Sequence, residues 1–374
     1  MKWMFILGLS LYVGGNLYVY LRMLQALAPM HTLCKILFTL GFWLAAFALF
    51  ASIALRDAEL PHAVQRAMFV VGSVWMVFVL YMVLATLVAD LLHLIFPTFG
   101  HRVWYALGAT ILLLAGGYIN YRIPRIERLS LEVEKSNFRT PQRIVAISDV
   151  HLGYGTTRPT LARYVDKIND LEADVVVIVG DLIDNSVAPV EREAMCDEFS
   201  RLRAPEGVYM VAGNHEYISG IGAVERYLAS TRIHLVRDSV VSLPCGIELL
   251  CRDDRSNRRR QSIAELVAKA DSSRPIVVLD HQPYDIEQSA ATGIVDLHLS
   301  GHTHRGQVWP ISWLTDAIYK QSYGYRMWGS MHAYVSSGLS LWGPPFRIGT
   351  HSEIVVIDLH AATPQSCKPM SRSM

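Results

Sequence analysis

Charge is scarce at the start of this 374-residue chain: of its 67 Asp, Glu, Lys and Arg residues, nine fall in the first 121 positions. A soluble domain of that length needs far more solvated surface, so the stretch before Tyr121-Arg122 is not an ordinary globular unit. Cysteine is scarce too. The five residues Cys34, Cys196, Cys245, Cys251 and Cys367 are an odd number with no CxxC pair, which excludes a disulfide framework and a zinc ribbon. Cys245 and Cys251 are near enough to pair across a hairpin, but isolated thiols fit the spacing better. A net charge of +1 argues against nucleic acid as an electrostatic partner.

Long apolar runs fill the charge-poor third: Trp3–Leu21, Ile36–Leu55, Ala67–Ala89 and Val103–Tyr121. Each is long enough for a helix to cross a hydrocarbon core of ~30 Å. Lys2 precedes the first run as in a secretory signal, yet the run is too long for one and no clear A-x-A site follows, so it reads as an uncleaved span. Four spans put both ends on one side. That side carries Lys2, Arg56, Arg66, Arg122, Arg125 and Arg128, and the other carries Arg22, Lys35 and Arg102. The excess predicts a cytoplasmic N-terminus and a cytoplasmic second domain. The expected organisation is a membrane domain over 1–121, a linker over 122–142, an α/β domain over 143–360 and a disordered tail over 361–374.

Strand and helix patterns alternate from Arg143 onward. Ile144–Ser148, Val175–Val179 and Val208–Val211 read as strands, with helices expected over Thr160–Leu171 and Glu191–Leu202. Shorter strands follow at His234–Val236, Val240–Leu243, Ile247–Leu250, Ile276–Leu279 and Leu297–Leu299, and Ile354–Leu359 closes the pattern. Arg252–Arg260 holds five Arg and two Asp, which reads as a solvated loop or a patch for anionic head groups. The Trp- and Tyr-rich stretch from Trp313 to Trp342 is either core or a face resting on a bilayer.

Five polar clusters punctuate this domain, each after an apolar run: Asp149-Val150-His151, Gly180-Asp181, Gly213-Asn214-His215-Glu216, His281, and Gly301-His302-Thr303-His304. Asp149 and His151 are two apart, so on an extended strand end both side chains face one way and can hold one metal. Asp181 follows a strand and a Gly, where its carboxylate can bridge two ions. Asn214 offers a neutral amide oxygen, and His302 with His304 repeats the two-apart spacing. Oxygen and imidazole donors delivered together at strand ends describe a two-metal hydrolytic site. A lone HxH is weak, but five such elements in order are a specific signal.

The blocks Ser148-Asp149-Val150-His151, Gly180-Asp181-Leu182-Ile183-Asp184, Gly213-Asn214-His215-Glu216, Asp280-His281 and Gly301-His302-Thr303-His304 resemble the calcineurin-like metallophosphoesterase superfamily, over roughly Arg143 to Leu359. The membrane-attached arrangement and the Gly301–Gln307 segment are similar to the bacterial YkuE- and YaeI-like phosphodiesterases, although Arg305 stands where that branch often has Gly. The resemblance implies a four-layer α/β/β/α sandwich behind an all-α membrane domain of four transmembrane helices. It implies Asp149, His151 and His304 on a first metal, Asn214, His281 and His302 on a second, and Asp181 bridging. His215 would protonate the leaving oxygen with Asp184 fixing its tautomer, though Asp184 also suits a plain helix cap. Two divalent ions (Mn, Fe, Zn or Co) would activate a shared hydroxide for in-line attack, with Asn214 against the substrate; Arg305, judged on its own chemistry, either contacts the substrate phosphate or is an exposed, inert arginine.

The expected function is therefore a membrane-anchored phosphohydrolase, foremost a phosphodiesterase, in a bacterial inner membrane. Its expected partners are the bilayer and a phosphoester substrate, with a lipid suggested by the spans, and neither nucleic acid nor an obligate protein partner. Alternatives are a pyrophosphatase of a nucleotide-linked lipid (UDP-diacylglucosamine type), a membrane scaffold or sensor on an inactive fold, and a transporter, for which Asp90 is the lone acidic candidate.

Overall fold

In the computed structural model, residues 2–56, 58 and 60–362 are described. The expected tail from 363 on lies outside them. Four long helices come first: α1 (Lys2–Ala26), α2 (Thr32–Ala54), α3 (His62–Ile95) and α4 (Arg102–Arg122). By length and composition α2, α3 and α4 can each cross a membrane. Their apolar residues face all round, as a helix solvated by lipid requires. Gly72 brings α3 against α2 so closely that a Cβ there would collide with the Leu49 backbone. At the far end Asp90 of α3 binds Arg22 of α1, Arg102 of α4 (2.9 Å) and the Tyr18 hydroxyl (2.8 Å).

The remaining chain builds two mixed six-stranded sheets. The strands are β1 (Arg125–Val133), β2 (Gln142–Ile147), β3 (Val175–Val179), β4 (Val208–Val211), β5 (Ile233–Leu235), β6 (Ser239–Ser242), β7 (Glu248–Cys251), β8 (Ile276–Leu279), β9 (Leu297–Ser300), β10 (Gly324–Trp328), β11 (Met331–Val335) and β12 (Glu353–Ala361). The first sheet runs β1-β12-β2-β3-β4-β5 and the second β10-β11-β9-β8-β7-β6. The helices between them are α5 (Arg158–Asn169), α6 (Ala188–Arg192), α7 (Cys196–Phe199), α8 (Asn214–Ile218), α9 (Ile221–Leu228), α10 (Ile263–Val267), α11 (Ile286–Ala291) and α12 (Ile311–Ile318).

Strand alternation sorts the core. Val175, Val177 and Val179 join Leu249, Val277 and Leu297 in a cluster drawn from both sheets. Val176 and Ile178 turn the other way, into a cluster with Tyr164 and Val165 of α5. Val278 and Leu250 of the second sheet pack with Ile263 and Ile286 of α10 and α11. Both faces of β3 are thus covered, which is why its five residues are all aliphatic.

Several expectations need correction. The segment expected as a linker contains β1, which pairs in parallel with the whole of β12 from Arg125–Glu353 to Val133–Ala361. Its charged residues alternate with buried Leu131 and Val133, the pattern of a sheet edge. The helix expected over Glu191–Leu202 is broken into α6 and α7 because Ala194 between them adopts a left-handed φ of 48°. In the Arg-rich loop, Arg252 and Arg260 point inward and both pair with Asp280 and Asp285, at 2.6–3.2 Å. Cys245 and Cys251, by contrast, are free thiols, as their spacing favoured.

His298 on β9 is fully buried, with Nδ1 2.8 Å from Ser289 Oγ and Nε2 3.1 Å from Ser300 Oγ. Ser300 spends its proton on the Asp280 carbonyl (2.6 Å), so it accepts from His298 Nε2–H and leaves Nδ1 to accept from Ser289. Burial, helped by the Arg252 charge, pushes this imidazole down to about 3. The unfolded chain therefore takes up a proton near pH 6.5 that the fold refuses until about 3. Stability is lost as pH falls through that window. His298→Gln is expected to flatten the decline by up to ~1.4 kcal/mol per pH unit, read as unfolding midpoints between pH 6.5 and 4; parallel curves for both proteins would refute it.

Candidate metal centre

Six strands end at one place. Asp149 follows β2, Asp181 follows β3, Asn214 follows β4, His281 follows β8, His302 follows β9, and the Ser336–Ser340 turn follows β11. These are the carboxyl ends of the parallel strands in both sheets, where open α/β sheets bind ligands. Turning sharply out of the strands costs backbone strain: Asp149, His151, Asp181, His302 and His304 all sit at φ between 47° and 70°. The motif glycines make the crowding possible. A Cβ on Gly213 would collide with Asp181 Oδ1, and one on Gly301 with Asp149 Oδ2.

The side chains converge in two groups, Asp149, His151 and His304, and Asp181, His281 and His302, with the donor atoms of each within 4.8 Å of one another. His304 Nε2 is 3.3 Å from Asp149 Oδ1 and 3.1 Å from His151 Nε2. His281 Nε2 is 3.1 Å from Asp181 Oδ2, while its Nδ1 lies 2.8 Å from the Val179 carbonyl. That second bond fixes the tautomer and leaves the Nε2 lone pair for a metal. His151, Asp181 and His215 form a further group that joins the two.

Two unsatisfied atoms test whether a metal fits. Asn214 Oδ1 and His281 Nε2 are, with Ser148 Oγ, His151 Nδ1, Asp184 Oδ1 and His304 Nδ1 of the same site, among the buried side-chain atoms that have no hydrogen bond among the described residues, a costly state for a buried polar atom. Both are lone-pair donors, His281 Nε2 within the group of Asp181, His281 and His302, and Asn214 Oδ1 at the start of α8 just after β4. The residues present therefore fit a pair of cations held by oxygen and imidazole.

Electrostatics points the same way. Burial alone would raise Asp149 and Asp181, but His304 and His151 beside the first, and His281 with His215 beside the second, hold both carboxyls well below the usual range. At His302 and His304 burial prevails and pushes the rings down to about 4 and about 3. These two are neutral imidazoles at physiological pH, the form that binds metals. Glu216, fully buried, is pushed up to about 7 by burial and then by Asp181. It accepts from the backbone N–H of Asp181 (2.9 Å), Ile183 (3.0 Å) and Gly213 (2.7 Å), bracing the loops after β3 and β4.

His215 stands beside this cluster. Its Nδ1 is 2.8 Å from the Asp184 carbonyl and 3.1 Å from Asp184 Oδ1, and its ring is edge-on to His151 at 4.6 Å. Arg305 turns its guanidinium over the Tyr323 ring, 4.4 Å from the centroid.

Sequence reading missed Arg347. It is 1 % exposed and donates to the carbonyls of His304 (2.9 Å), Ser337 (2.5 Å), Gly338 (3.1 Å) and Ser340 (2.8 Å). A single Arg in a Pro-Gly-rich loop carries no metal-ligand spacing, so no motif could have found it. The helices reach the centre through the same loop: Asn120 of α4 donates to the Arg347 carbonyl (2.9 Å), and the Tyr121 hydroxyl is 3.2 Å from Ser340 Oγ.

Gly301→Ala is expected to displace Asp149 and lower bound metal at least tenfold with the fold intact, measured by elemental analysis beside circular dichroism. Full metal occupancy in a folded variant would show that Asp149 is not a ligand.

The calcineurin-like phosphoesterase family profile matches residues 142–306. Among similar proteins, an uncharacterized metallophosphoesterase of Helicobacter pylori J99 is 32 % identical over 65 % of this chain and 66 % of its own length. A transmembrane protein with metallophosphoesterase domain from Danio rerio is 30 % identical over 69 % of this chain and 62 % of its own. The uncharacterized metallophosphoesterase YkuE of Bacillus subtilis is 29 % identical over 68 % of this chain and 93 % of its own. The chain thus spans just under two thirds of the length of the first two relatives.

Proposed function

Because residues 142–306 are a calcineurin-like phosphoesterase domain behind a set of apolar helices, we propose that the protein is a membrane-anchored, two-metal phosphohydrolase, and specifically a phosphodiesterase acting on a lipid or membrane-associated phosphoester. The observation that carries this reading is the pair of buried donor groups at the shared strand ends, where Asn214 Oδ1 and His281 Nε2 are left without a hydrogen bond. Asp149, His151 and His304 would hold one ion and Asn214, His281 and His302 the other, with Asp181 available to both. Mn, Fe, Zn and Co all suit this donor set. When bound, such ions lower the pKa of water and neutralise phosphate charge.

The protein's own groups do the rest. Burial pushes the His215 imidazole down, but Asp184 and Asp181 outweigh it and hold the ring above its ordinary value. The Asp184 carbonyl takes Nδ1–H, so Nε2–H is the proton offered to the leaving oxygen. Asn214 and Arg305 are the substrate contacts of this reading, with Arg305 aimed by its stacking on Tyr323.

The membrane side of the proposal has four spans, α1 included, and helices outside two facing sheets. Its support is that Val19 of α1 is buried with Phe42 and Met82 in the bundle, and that successive β3 residues alternate between two core clusters. The six-to-three excess of Lys and Arg supports a cytoplasmic catalytic domain in a bacterial inner membrane. The bilayer is its one standing partner in this reading, with no nucleic acid and no obligate protein.

Turnover of bis-p-nitrophenyl phosphate and p-nitrophenyl phosphate by metal-stripped protein resupplied with Mn²⁺ tests the proposal. The diester should be preferred, and no metal-dependent turnover of either ester would sink the hydrolase reading. Asp181→Asn should lose metal and activity together. His215→Ala should keep both ions and slow turnover by ~10²–10⁴, most for poor leaving groups; metal loss there would mean His215 is a ligand.

A further inference from the structure

We propose that the cleft between α3 and α12 is a lateral portal through which an acyl chain from the adjacent leaflet enters beside the metal centre. The proposal deepens the lipid-substrate reading and rests on it for the chemistry at the inner end.

The depth of the cleft follows from helix length. At ~1.5 Å per residue α3 is roughly 50 Å long, well beyond the ~30 Å hydrocarbon core. Its far boundary is marked by Asp90, tied to Arg22 and Arg102. Roughly 20 residues counted back from there reach the start of the near leaflet around Val70. The preceding turns leave the bilayer and lie on the catalytic domain. Gln65 accepts from the Tyr154 hydroxyl, Phe69 packs on Tyr154, and Ser73 meets Gly343. The same stripe continues to Val77 and Tyr81, which pack with Val308 and Phe346 of the catalytic domain, and Tyr81 donates to the Trp309 carbonyl (2.6 Å). Loops of the catalytic domain therefore meet α3 from the near boundary around Val70 to about mid-bilayer at Tyr81, ~16 Å further along the helix.

At that depth a cavity of ≈ 330 Å³ opens between a membrane helix and the site. Met76, Val77 and Leu80 of α3 form one wall, and Ile311 and Thr315 of α12 form the other. His304, a member of the first donor group, and Trp342, edge-on to His215 at 6.5 Å, line it as well. One wall thus belongs to the bilayer and another to the reaction centre.

The outer lip is unlike a protein–water surface. None of the eight residues of α12 is buried, and Ile311, Trp313, Leu314 and Ile318 are exposed beside an exposed Trp309. A contiguous apolar patch carrying two tryptophans, continuous with a spanning helix, is built to be covered by lipid. The covering occupant is the near leaflet, and the chain entering the cleft is an acyl tail.

The test uses the full-length protein in phosphatidylethanolamine–phosphatidylglycerol vesicles containing a phospholipid with a terminal diazirine on one acyl chain. Irradiation and peptide mass spectrometry should find adducts on Thr315 and Trp342 inside the cleft. Leu80→Trp, filling the cleft from α3, should lower them at least tenfold while adducts on the outer face of α2 at Leu44 persist. The occlusion can be repeated from the other wall with Thr315→Trp, reading Trp342 alone. Adducts confined to α2 and the outer face of α12, or Trp342 labelling unchanged by both variants, would overturn the portal. Bis-p-nitrophenyl phosphate turnover by the same vesicles separates the two ideas: labelled but metal-inactive protein keeps the portal and loses the hydrolase, and active protein without cleft labelling does the reverse.

Discussion

Two carboxylates, Asp149 and Asp181, are buried side by side, and the rest of the centre is arranged to make that tolerable. An isolated buried carboxylate is too costly to survive, so each must be met by positive charge, hydrogen bonds or a metal. The fold supplies all the protein can. The His302 N–H donates to both Asp149 oxygens, at 3.0 and 3.2 Å, and the His215 N–H to Asp181 Oδ1 at 2.8 Å. Five left-handed residues at the ligand positions, each costing ~1–3 kcal/mol, are the consequence of aiming so many side chains at one point. Such strain persists only where neighbouring contacts over-determine the backbone, and the Glu216 carboxyl bridging three N–H groups is one such contact.

The bundle is more than a tether. The Arg347 guanidinium is buried without a carboxylate partner, and burial lowers it to about 10, so its charge is balanced by carbonyl dipoles instead. Those carbonyls belong to His304 and to the turn that hydrogen-bonds Asp149: the Ser340 N–H donates to the Asp149 carbonyl at 3.1 Å. Asn120 holds the Arg347 carbonyl, and Tyr121 the Ser340 hydroxyl. The end of α4 is therefore two contacts from Asp149 and His304, two members of the first donor group. A catalytic domain cut free at Arg122 would lose the groups that seat those loops, which ties the geometry of the centre to the membrane domain.

How much of this was legible depended on what each residue had to satisfy. β3 and β8 are found at their sequence-expected bounds because uninterrupted aliphatic runs have one stable place, the covered middle of a sheet. The convergence of the Asp and His residues at the strand ends was readable because metal donors are few in kind and their spacing is fixed by strand geometry. β1 was not, since an edge strand needs only one apolar face and its Arg and Glu residues look like linker. The β10–β11 hairpin hid within the Trp- and Tyr-rich stretch, where aromatic residues suit strand, core and bilayer alike. Arg347 and Ser340 were invisible because their roles exist only once distant loops meet.

Polar contacts also bear on the role of the long helices. A transported proton or ion needs a buried titratable group with a changeable partner. Asp90 is the acidic residue available among the described span residues, and it is held at once by Arg22, Arg102 and Tyr18 at the end of the bundle farthest from the metal centre. Two cations on one carboxylate make a staple joining α1, α3 and α4, and moving it would part three helices together. By contrast, the polar groups at the other end, Gln65, Asn120 and Tyr121, all bond to catalytic loops. The bundle is stitched shut at one end and fitted to the reaction centre at the other, which is the distribution of polar contacts expected of an anchor that presents a site to the membrane and not of a conduit through it.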